Sequence, residues 1–200
     1  MYKNYMQLNI YLISHPIIQK LTNDIDNDSQ ISKKQYDDYN RKLGLLLIYE
    51  VIRKWVQIKK IYIKNIDHCR KFCIWGKYEN YLIITDFIEN YNIVSEISTL
   101  LPEANMQHIS LNRLEKNFKF NTKYNTIFRK DAKGIQKIII IKRSLSNYLI
   151  INLLDYLILT KKHPISQIKI VCLTCYQRIL ERINEKHPKI QIYTTQIKKY

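Results

Sequence analysis

The chain has 200 residues, of which 46% are hydrophobic and 25% charged, and its formal net charge is +16. This size and composition fit one compact domain, which we expect to cover residues 1–200. No run of about eighteen apolar residues occurs, so we expect no membrane-spanning helix. The first residues lack the pattern of a signal peptide, so we expect the protein not to be secreted.

Residue usage is strongly biased. Glycine occurs 3 times and tyrosine 16 times, while lysine, isoleucine and asparagine are abundant. AT-rich codons specify the abundant residues, so we expect a plastid or another AT-rich organelle, with the cytoplasm as the alternative location. The positive charge attracts polyanions such as RNA, although the same codon bias produces a basic surface without a selected partner.

The first predicted helix begins at a capping box. Ser32 and Gln35 form the Ser-x-x-Gln pattern that satisfies the first backbone N–H groups of a helix. Apolar residues then recur at three- and four-residue intervals to about residue 55, which indicates an amphipathic helix. The acidic stretch DIDND at 24–28 lacks the glycine and glutamate of a calcium loop, so we interpret it as a solvated turn ahead of this helix.

The rest of the chain alternates between short apolar runs and helical patterns. Residues 58–80 are predicted to be a charged, aromatic connector, and 112–134 a loop or a small antiparallel arm. The predicted strands are 81–85, 106–111, 137–141, 167–174 and 190–195. The predicted helices are 87–101, 147–162 and 176–187. This alternation predicts an α/β fold, with a mostly parallel sheet and helices on both faces.

Ligands bind open parallel sheets where the strands end, and one such turn carries phosphate-binding residue types. Lys142, Arg143, Ser144 and Ser146 follow the predicted strand 137–141, which places cations and hydroxyl groups ahead of a helix. We predict that these residues bind an anion, although the turn contains no glycine. The alternative is that a serine here only caps the helix.

Six short blocks carry a family resemblance. They are ISHPIIQKL at 13–21, LGLLLIYE at 43–50, LLPEA at 100–104, HISL at 108–111, IKIVCL at 168–173 and EKHPKIQIYT at 185–194. In this order and at this spacing they resemble the uracil phosphoribosyltransferases. The resemblance extends over residues 10–196.

The resemblance implies a Rossmann-like phosphoribosyltransferase fold with a small hood, assembled as a homodimer. It also implies that uracil displaces pyrophosphate from phosphoribosyl diphosphate to give UMP, with Mg²⁺ on the diphosphate. A related regulator of the same fold acts on pyrimidine genes through RNA. A basic RNA-binding or regulatory module is therefore the alternative function.

Three functional elements of the family are not matched. Members cradle phosphate in a turn close to Asp-Pro-Met-Leu-Ala-Thr-Gly-Gly-Ser, whereas residues 142–150 read KRSLSNYLI. The family's Arg-Ala-Gly falls on IEN at 88–90, and its uracil-reading Gly-Leu-Gly-Asp-Ala-Gly tail has no counterpart up to residue 200. Only Arg113 matches a family arginine. We therefore predict little or no transferase activity, with Arg113 and the residues of the 142–146 turn as a residual phosphate site.

Two further patterns have structural alternatives. Cys172 and Cys175 have the spacing of a zinc knuckle, and Cys69 with Cys73 would supply a second pair. Reduced cysteines in apolar strands are commonly small core residues, which is the alternative. The many aromatic residues near lysine and arginine would stack on single-stranded bases, or would cover the edges of the core.

Overall fold

The computed structural model describes residues 8–27, 31–66, 68–75, 80–109 and 136–199. The strands are β1 (Asn9–Leu12), β2 (Ile58–Lys64), β3 (Cys69–Trp75), β4 (Tyr81–Thr85), β5 (Asn105–His108), β6 (Lys137–Leu145), β7 (Ile168–Tyr176) and β8 (Gln191–Lys198). The helices are α1 (Pro16–Asn27), α2 (Lys33–Ile52), α3 (Phe87–Val94), α4 (Ile97–Leu100), α5 (Leu149–Asp155) and α6 (Gln177–Lys186). A π-helical turn (Tyr156–Thr160) follows α5.

Six strands form one parallel sheet in the order β1-β8-β7-β6-β4-β5. Its central strands are buried on both faces, as apolar parallel strands are when helices cover both sides. Ile138 and Ile140 of β6 pack with α5 and α6, whereas Ile139 and Ile141 pack with α1, α2 and α3. The predicted class, a mostly parallel sheet with helices on both faces, is confirmed.

Helix α2 has the predicted capping box. The Ser32 hydroxyl accepts a hydrogen bond from the backbone N–H of Gln35, and the Gln35 side chain accepts one from the backbone N–H of Ser32. Two first-turn N–H groups that helix geometry leaves without partners are thereby satisfied. The structure ends α2 at Ile52, three residues before the predicted limit of about residue 55.

Helices α2 and α3 approach each other closely at Gly44. A Cβ atom added there would overlap the backbone carbonyl group of Ile93, so only glycine fits this contact. Gly44 and Ile93 are both buried. The contact fixes the position of α3, which begins directly after β4 at one end of the sheet.

Strands β2 and β3 form a separate antiparallel ribbon. All seven residues of β2 are exposed, and no described residue of the ribbon is paired with the main sheet. The prediction of a connector over 58–80 was therefore wrong. Successive residues of each strand point to opposite faces, so Ile61 and Phe72 lie on one face and Lys60 and Lys71 on the other.

Other local predictions need correction. The predicted helix 87–101 is divided into α3 and α4 by a break at Ser95 and Glu96. Asp24 and Asp26 lie within α1 and do not form a turn ahead of α2, while residue 28 lies outside the described residues. Strand β1, which pairs with β8 at the edge of the sheet, was not predicted.

In the described part of the chain, none of the helices has both the length and the apolar character needed to cross a membrane.

Candidate functional site

The strand order places a crevice between β4 and β6. From β4 the chain runs outward to β5 and then returns to β6 on the other side of β4. Such a reversal separates the connections that follow two neighbouring strands, and ligands of open α/β sheets bind there. The segment that follows Ile141 therefore lies beside this crevice.

Strand β6 continues past the end of its neighbour β4. Thr85, the last residue of β4, is opposite Ile141, and β6 then extends to Leu145 while still paired with β7. Lys142 is paired with Cys172 and Ser144 with Thr174. The segment that was predicted to be a helix start is thus the end of a strand.

The serines in this segment do not cap the next helix. Helix α5 begins at Leu149, and its N-cap residue Tyr148 makes no side-chain capping hydrogen bond. Ser144 lies within β6, and Ser146 is exposed in the link to α5. The capping interpretation was therefore wrong, because the strand extends four residues further than its isoleucine run indicated.

Lys142 is the most buried of the described residues that were predicted to bind an anion, with 4% of its surface exposed. Burial lowers the pKa of its ammonium group, and the carboxylates of Glu89 and Asp86 offset part of that effect. None of the described carboxylates forms an ion pair with Lys142. A buried ammonium group without an ion-pair partner is stabilised by an anion that binds beside it.

Arg143, in contrast, is bound by other side chains of the protein. Its Nη2 donates a hydrogen bond of 3.2 Å to Oδ1 of Asn40, and its guanidinium carbon lies 5.1 Å from the ring centroid of Tyr36. Both partners are on α2. Since the guanidinium group is directed toward that helix, Arg143 is not arranged as a free phosphate ligand, although its buried Nε lacks an acceptor among the described residues.

Asn90 closes the edge that β6 exposes beyond the end of β4. Its Oδ1 accepts a hydrogen bond of 2.9 Å from the backbone N–H of Arg143, and its Nδ2 donates one of 3.0 Å to the carbonyl oxygen of Asp86. Asn90 is fully buried. A backbone N–H group that a phosphate-binding turn would present to its ligand is therefore already used within the protein.

Four of the five predicted site residues line one open cavity of about 380 Å³. The described lining consists of Glu89, Lys142, Arg143, Ser144 and Ser146. Glu89 adds a negative charge that sequence reasoning had not assigned to the site, and it opposes anion binding. The fifth predicted residue, Arg113, lies outside the described residues.

Comparisons with known proteins find relatives by sequence. No protein-family model matches the chain. It is 27% identical to the uracil phosphoribosyltransferase homolog of Porphyra purpurea, over 96% of this chain and 89% of that protein. It is also 27% identical to the uracil phosphoribosyltransferase of Mycoplasma mobile, over 92% and 86%. The chain is thus similar in sequence to uracil phosphoribosyltransferases over most of its length.

A solved structure supports the fold of this chain. The chain superposes on the AQ2163 protein from Aquifex aeolicus with a TM-score of 0.67 at 15% sequence identity. The match covers 94% of this chain and 86% of that structure. At this identity the likeness establishes the Rossmann-like α/β architecture.

The described cavity does not fit a magnesium site made by the protein. Mg²⁺ prefers several oxygen ligands, usually from carboxylates, waters and phosphates. Glu89 is the one carboxylate in the described lining of this cavity, and the other four residues are a lysine, an arginine and two serines. Asp86 accepts a hydrogen bond from the backbone N–H of Ile88 and thereby caps α3.

The four cysteines lie in two separate places and do not form a zinc site with the described residues around them. Cys69 and Cys73 are exposed on β3, whereas Cys172 and Cys175 are buried in β7. The described ranges contain no cluster of three or more histidine, cysteine or acidic side chains able to hold a metal ion. Cys172 and Cys175 belong to the apolar core, as the alternative interpretation predicted.

Sequence reasoning missed Asn40 and Asn90, which bind Arg143. Asn40 lies one helical turn before Leu43 and Gly44 on the buried side of α2, and Asn90 lies one turn before Ile93 and Val94 on α3. A polar residue in the apolar stripe of a predicted helix is a signal of a buried hydrogen bond, because burying an unpaired amide is unfavourable. That signal was present, but the partner could not be identified from local spacing.

Proposed function

We propose that this chain is a uracil phosphoribosyltransferase homologue with little or no transferase activity. The observation that carries the proposal is the hydrogen bond from the backbone N–H of Arg143 to Asn90, at the place where family members cradle phosphate. The extension of β6 to Leu145 adds support, because a strand paired with β7 cannot also form a turn around a ligand.

The family reaction depends on placement and charge more than on covalent chemistry. Phosphoribosyl diphosphate has to be held so that the negative charge of the leaving pyrophosphate is stabilised, with uracil positioned behind the ribose carbon. In this chain the guanidinium group of Arg143 contacts α2, and Glu89 lines the cavity. Both features weaken the stabilisation of pyrophosphate.

A direct assay tests the proposal. Purified protein is incubated with labelled uracil, phosphoribosyl diphosphate and Mg²⁺, and UMP is measured, with the Mycoplasma mobile enzyme assayed in parallel as a positive control. We expect UMP formation at or near background. Robust turnover would overturn the proposal and would favour an enzyme in which Lys142, Arg143 and Arg113 replace the lost loop.

We further propose that the 380 Å³ cavity retains weak anion binding through Lys142, Ser144 and Ser146. Phosphoribosyl diphosphate and inorganic phosphate are the probes for calorimetry. Lys142→Met should remove the binding, whereas Lys34→Met removes an exposed charge on α2 and should leave it unchanged. Equal binding by both variants would show that the cavity is not the site.

The proposed homodimer is supported by the ribbon β2–β3. Ile61, Ile63, Phe72 and Ile74 share one face of it, because cross-strand neighbours point to the same side. Each is between 42% and 51% exposed. We expect the double variant Ile61→Ser, Phe72→Ser to shift the molecular mass in light scattering toward that of the monomer. The control Leu159→Ser, at an exposed leucine outside the ribbon, should have no effect. A dimer that survives the double variant would locate the interface elsewhere.

RNA binding is a second candidate function, and the opposite face of the same ribbon favours it. Lys60, Tyr62 and Lys64 of β2 lie there with Lys71 of β3. Cations beside an exposed aromatic ring are the usual elements of a single-strand binding surface. Binding of single-stranded RNA is measured by fluorescence anisotropy at several salt concentrations.

The salt dependence separates specific use of this face from general attraction. Replacing Lys60, Lys64 and Lys71 by glutamine should reduce the salt slope by roughly 2, for about three lost phosphate contacts. The same change at the exposed lysines 20, 34 and 189 is the control for total charge. Equal losses from both triple variants would leave only nonspecific attraction.

We propose a plastid location. Support comes from the residue usage of the chain and from its similarity to proteins of the red algae Porphyra purpurea and Pyropia yezoensis, at 27% and 26% identity. Immunoblotting of isolated plastids against the remaining cell fraction tests it. Exclusive recovery outside the plastid would contradict the proposal.

A further inference from the structure

A second and larger cavity lies on the α2 side of the sheet, near the amino ends of β7 and β8. Its volume is about 730 Å³, within the range of roughly 300–1,000 Å³ that is typical of small-molecule sites. It lies between the β1–α1 connection and the last turn of α2. The switch-point crevice lies at the opposite, carboxyl ends of the strands, so the two cavities are separate.

One wall of this cavity is aromatic. Tyr11 of β1 and Tyr193 of β8 stack with ring centroids 4.7 Å apart, and Tyr11 remains 43% exposed. Trp55, just beyond α2, also lines the cavity. Exposed rings in a concave site offer a flat surface on which a planar ligand can stack.

Three other lining residues are cationic. Arg53, Lys54 and Lys169 contribute positive charge, and Glu50 is the one carboxylate there. Glu50 lies 3.3 Å from Arg53 and pairs with it, and none of the described acidic side chains forms an ion pair with Lys169. An anion entering the cavity would meet a net positive field.

Lys169 is the cation that an exposed surface would not explain. It is 5% exposed, its Nζ donates a hydrogen bond of 3.0 Å to the carbonyl oxygen of Val51, and it lies 4.4 Å from the ring centroid of Trp55. The bond to Val51 satisfies a terminal carbonyl group of α2 and uses one of the three N–H groups of the ammonium. The remaining two have no oxygen acceptor among the described residues.

The positive charge of Lys169 is also destabilised by its surroundings in the protein. Burial, together with the nearby charge of Lys137, lowers the pKa of Lys169 to about 8. Lys137 lies over the same Trp55 ring, 5.7 Å from its centroid, and donates to the carbonyl oxygen of Trp55. A bound anion would relieve the repulsion between the two lysines.

We propose that this cavity binds a nucleoside monophosphate, with its base against Tyr11 and its phosphate at Lys169 and Lys54. The juxtaposition of an aromatic wall with a buried cation matches a ligand that is planar at one end and anionic at the other. A free phosphate would use only the cations, and a nucleoside only the rings. The site does not depend on transferase activity, and it lies apart from the residues discussed for that reaction.

Calorimetry with AMP, UMP, adenosine and inorganic phosphate tests the proposal on the full chain. We expect a monophosphate to bind at least about tenfold more tightly than adenosine or inorganic phosphate, since two sets of contacts act together. Comparable weak binding of all four compounds would overturn it. The preference between AMP and UMP then indicates which base the cavity accepts.

Variants locate the binding. Lys169→Met and Tyr11→Ala should each weaken binding by roughly tenfold, whereas Lys34→Met should not change it. Lys142→Met separates this cavity from the one at the switch point, because loss of binding in that variant alone would move the ligand there and overturn the proposal. Tyr11 is exposed at the sheet edge, so Tyr11→Ala remains informative if Lys169→Met does not fold.

Discussion

The two ends of the parallel sheet hold cationic side chains in different ways. At the carboxyl ends, Arg143 is bound by Asn40 and Tyr36, and its backbone N–H is bound by Asn90. At the amino ends, Lys169 has one carbonyl partner and faces a cavity of about 730 Å³. Helix α2 contacts both ends, with Asn40 near its start and Val51 near its end.

The comparison shows at which end of the sheet hydrogen-bonding groups remain available to a ligand. At the carboxyl ends, the guanidinium group and the backbone N–H of Arg143 are bound by neighbouring side chains, which removes these two donors from a phosphate. Groups at the opposite edge are only partly used. The following predictions disturb one end at a time.

The largest effect is expected from Gly44→Ala. Alanine normally stabilises a helix relative to glycine, but here its Cβ would overlap the carbonyl group of Ile93 and push α3 away from α2. We expect a loss of about 3 kcal/mol or more in the free energy of unfolding, measured by urea denaturation. Lys34→Ala, on the exposed side of α2, should stay near the wild-type value, and an unchanged Gly44→Ala would contradict the close contact.

The next effect concerns pH and the amino-end cavity. The pKa of Lys169 is about 8 in the folded state and 10.5 as its ordinary value, so between these pH values the unfolded chain binds more protons than the folded one. Stability from this group therefore rises as the pH rises from 8 toward 10.5. Relative to Lys169→Met, the wild type should gain up to roughly 3 kcal/mol across that window.

Urea denaturation of both proteins at pH 7, 8, 9 and 10 measures the difference. Groups that the two proteins share cancel in this comparison. Below pH 8 the difference should be flat, because the lysine is protonated in both states. A difference that stays constant to pH 10 would show that Lys169 is not destabilised by burial.

A smaller effect is expected at the carboxyl end from Asn90→Ala. The substitution leaves the backbone N–H of Arg143 without its partner beside a fully buried position, whereas the carbonyl oxygen of Asp86 keeps the backbone N–H of residue 90. We expect a loss of about 2 kcal/mol. Asn92→Ala removes an asparagine from the same helix whose hydrogen bond, to Asp37, is only partly buried, and it should cost less than half as much.

The smallest effect is expected from Ser146→Ala. Ser146 is exposed and does not cap α5, so the free energy of unfolding should change by less than about 0.5 kcal/mol. Ser32→Ala is the matched comparison, because Ser32 does cap a helix, and it should lose about 1 kcal/mol. Equal losses at the two serines would restore the capping interpretation of Ser146.

The sheet could be predicted because its strands carry their signal locally. Tyr81–Thr85 and the isoleucine run of β6 are apolar on both faces, and the capping box of α2 lies within four residues. The six blocks that resemble the uracil phosphoribosyltransferases added the prediction of the fold. Burial and short-range hydrogen bonding therefore determined what was predicted correctly.

The candidate site was less predictable because its structure depends on distant partners. Lys142 to Leu145 read as a polar turn, and only pairing with β7 makes them a strand. Asn40 lies 103 residues from Arg143, so no local pattern joins them. The ribbon was missed for the opposite reason, since its strands have no buried face from which to recognise them.

The ribbon carries two accessible thiols, at Cys69 and Cys73. The other two thiols lie in the core, where the hydrogen bond with Cys175 and burial raise the pKa of Cys172. A maleimide reagent should therefore place fluorescent or spin labels on β3 of the native protein without any engineered cysteine. The environment of those labels would report directly whether a second chain or an RNA strand covers the ribbon.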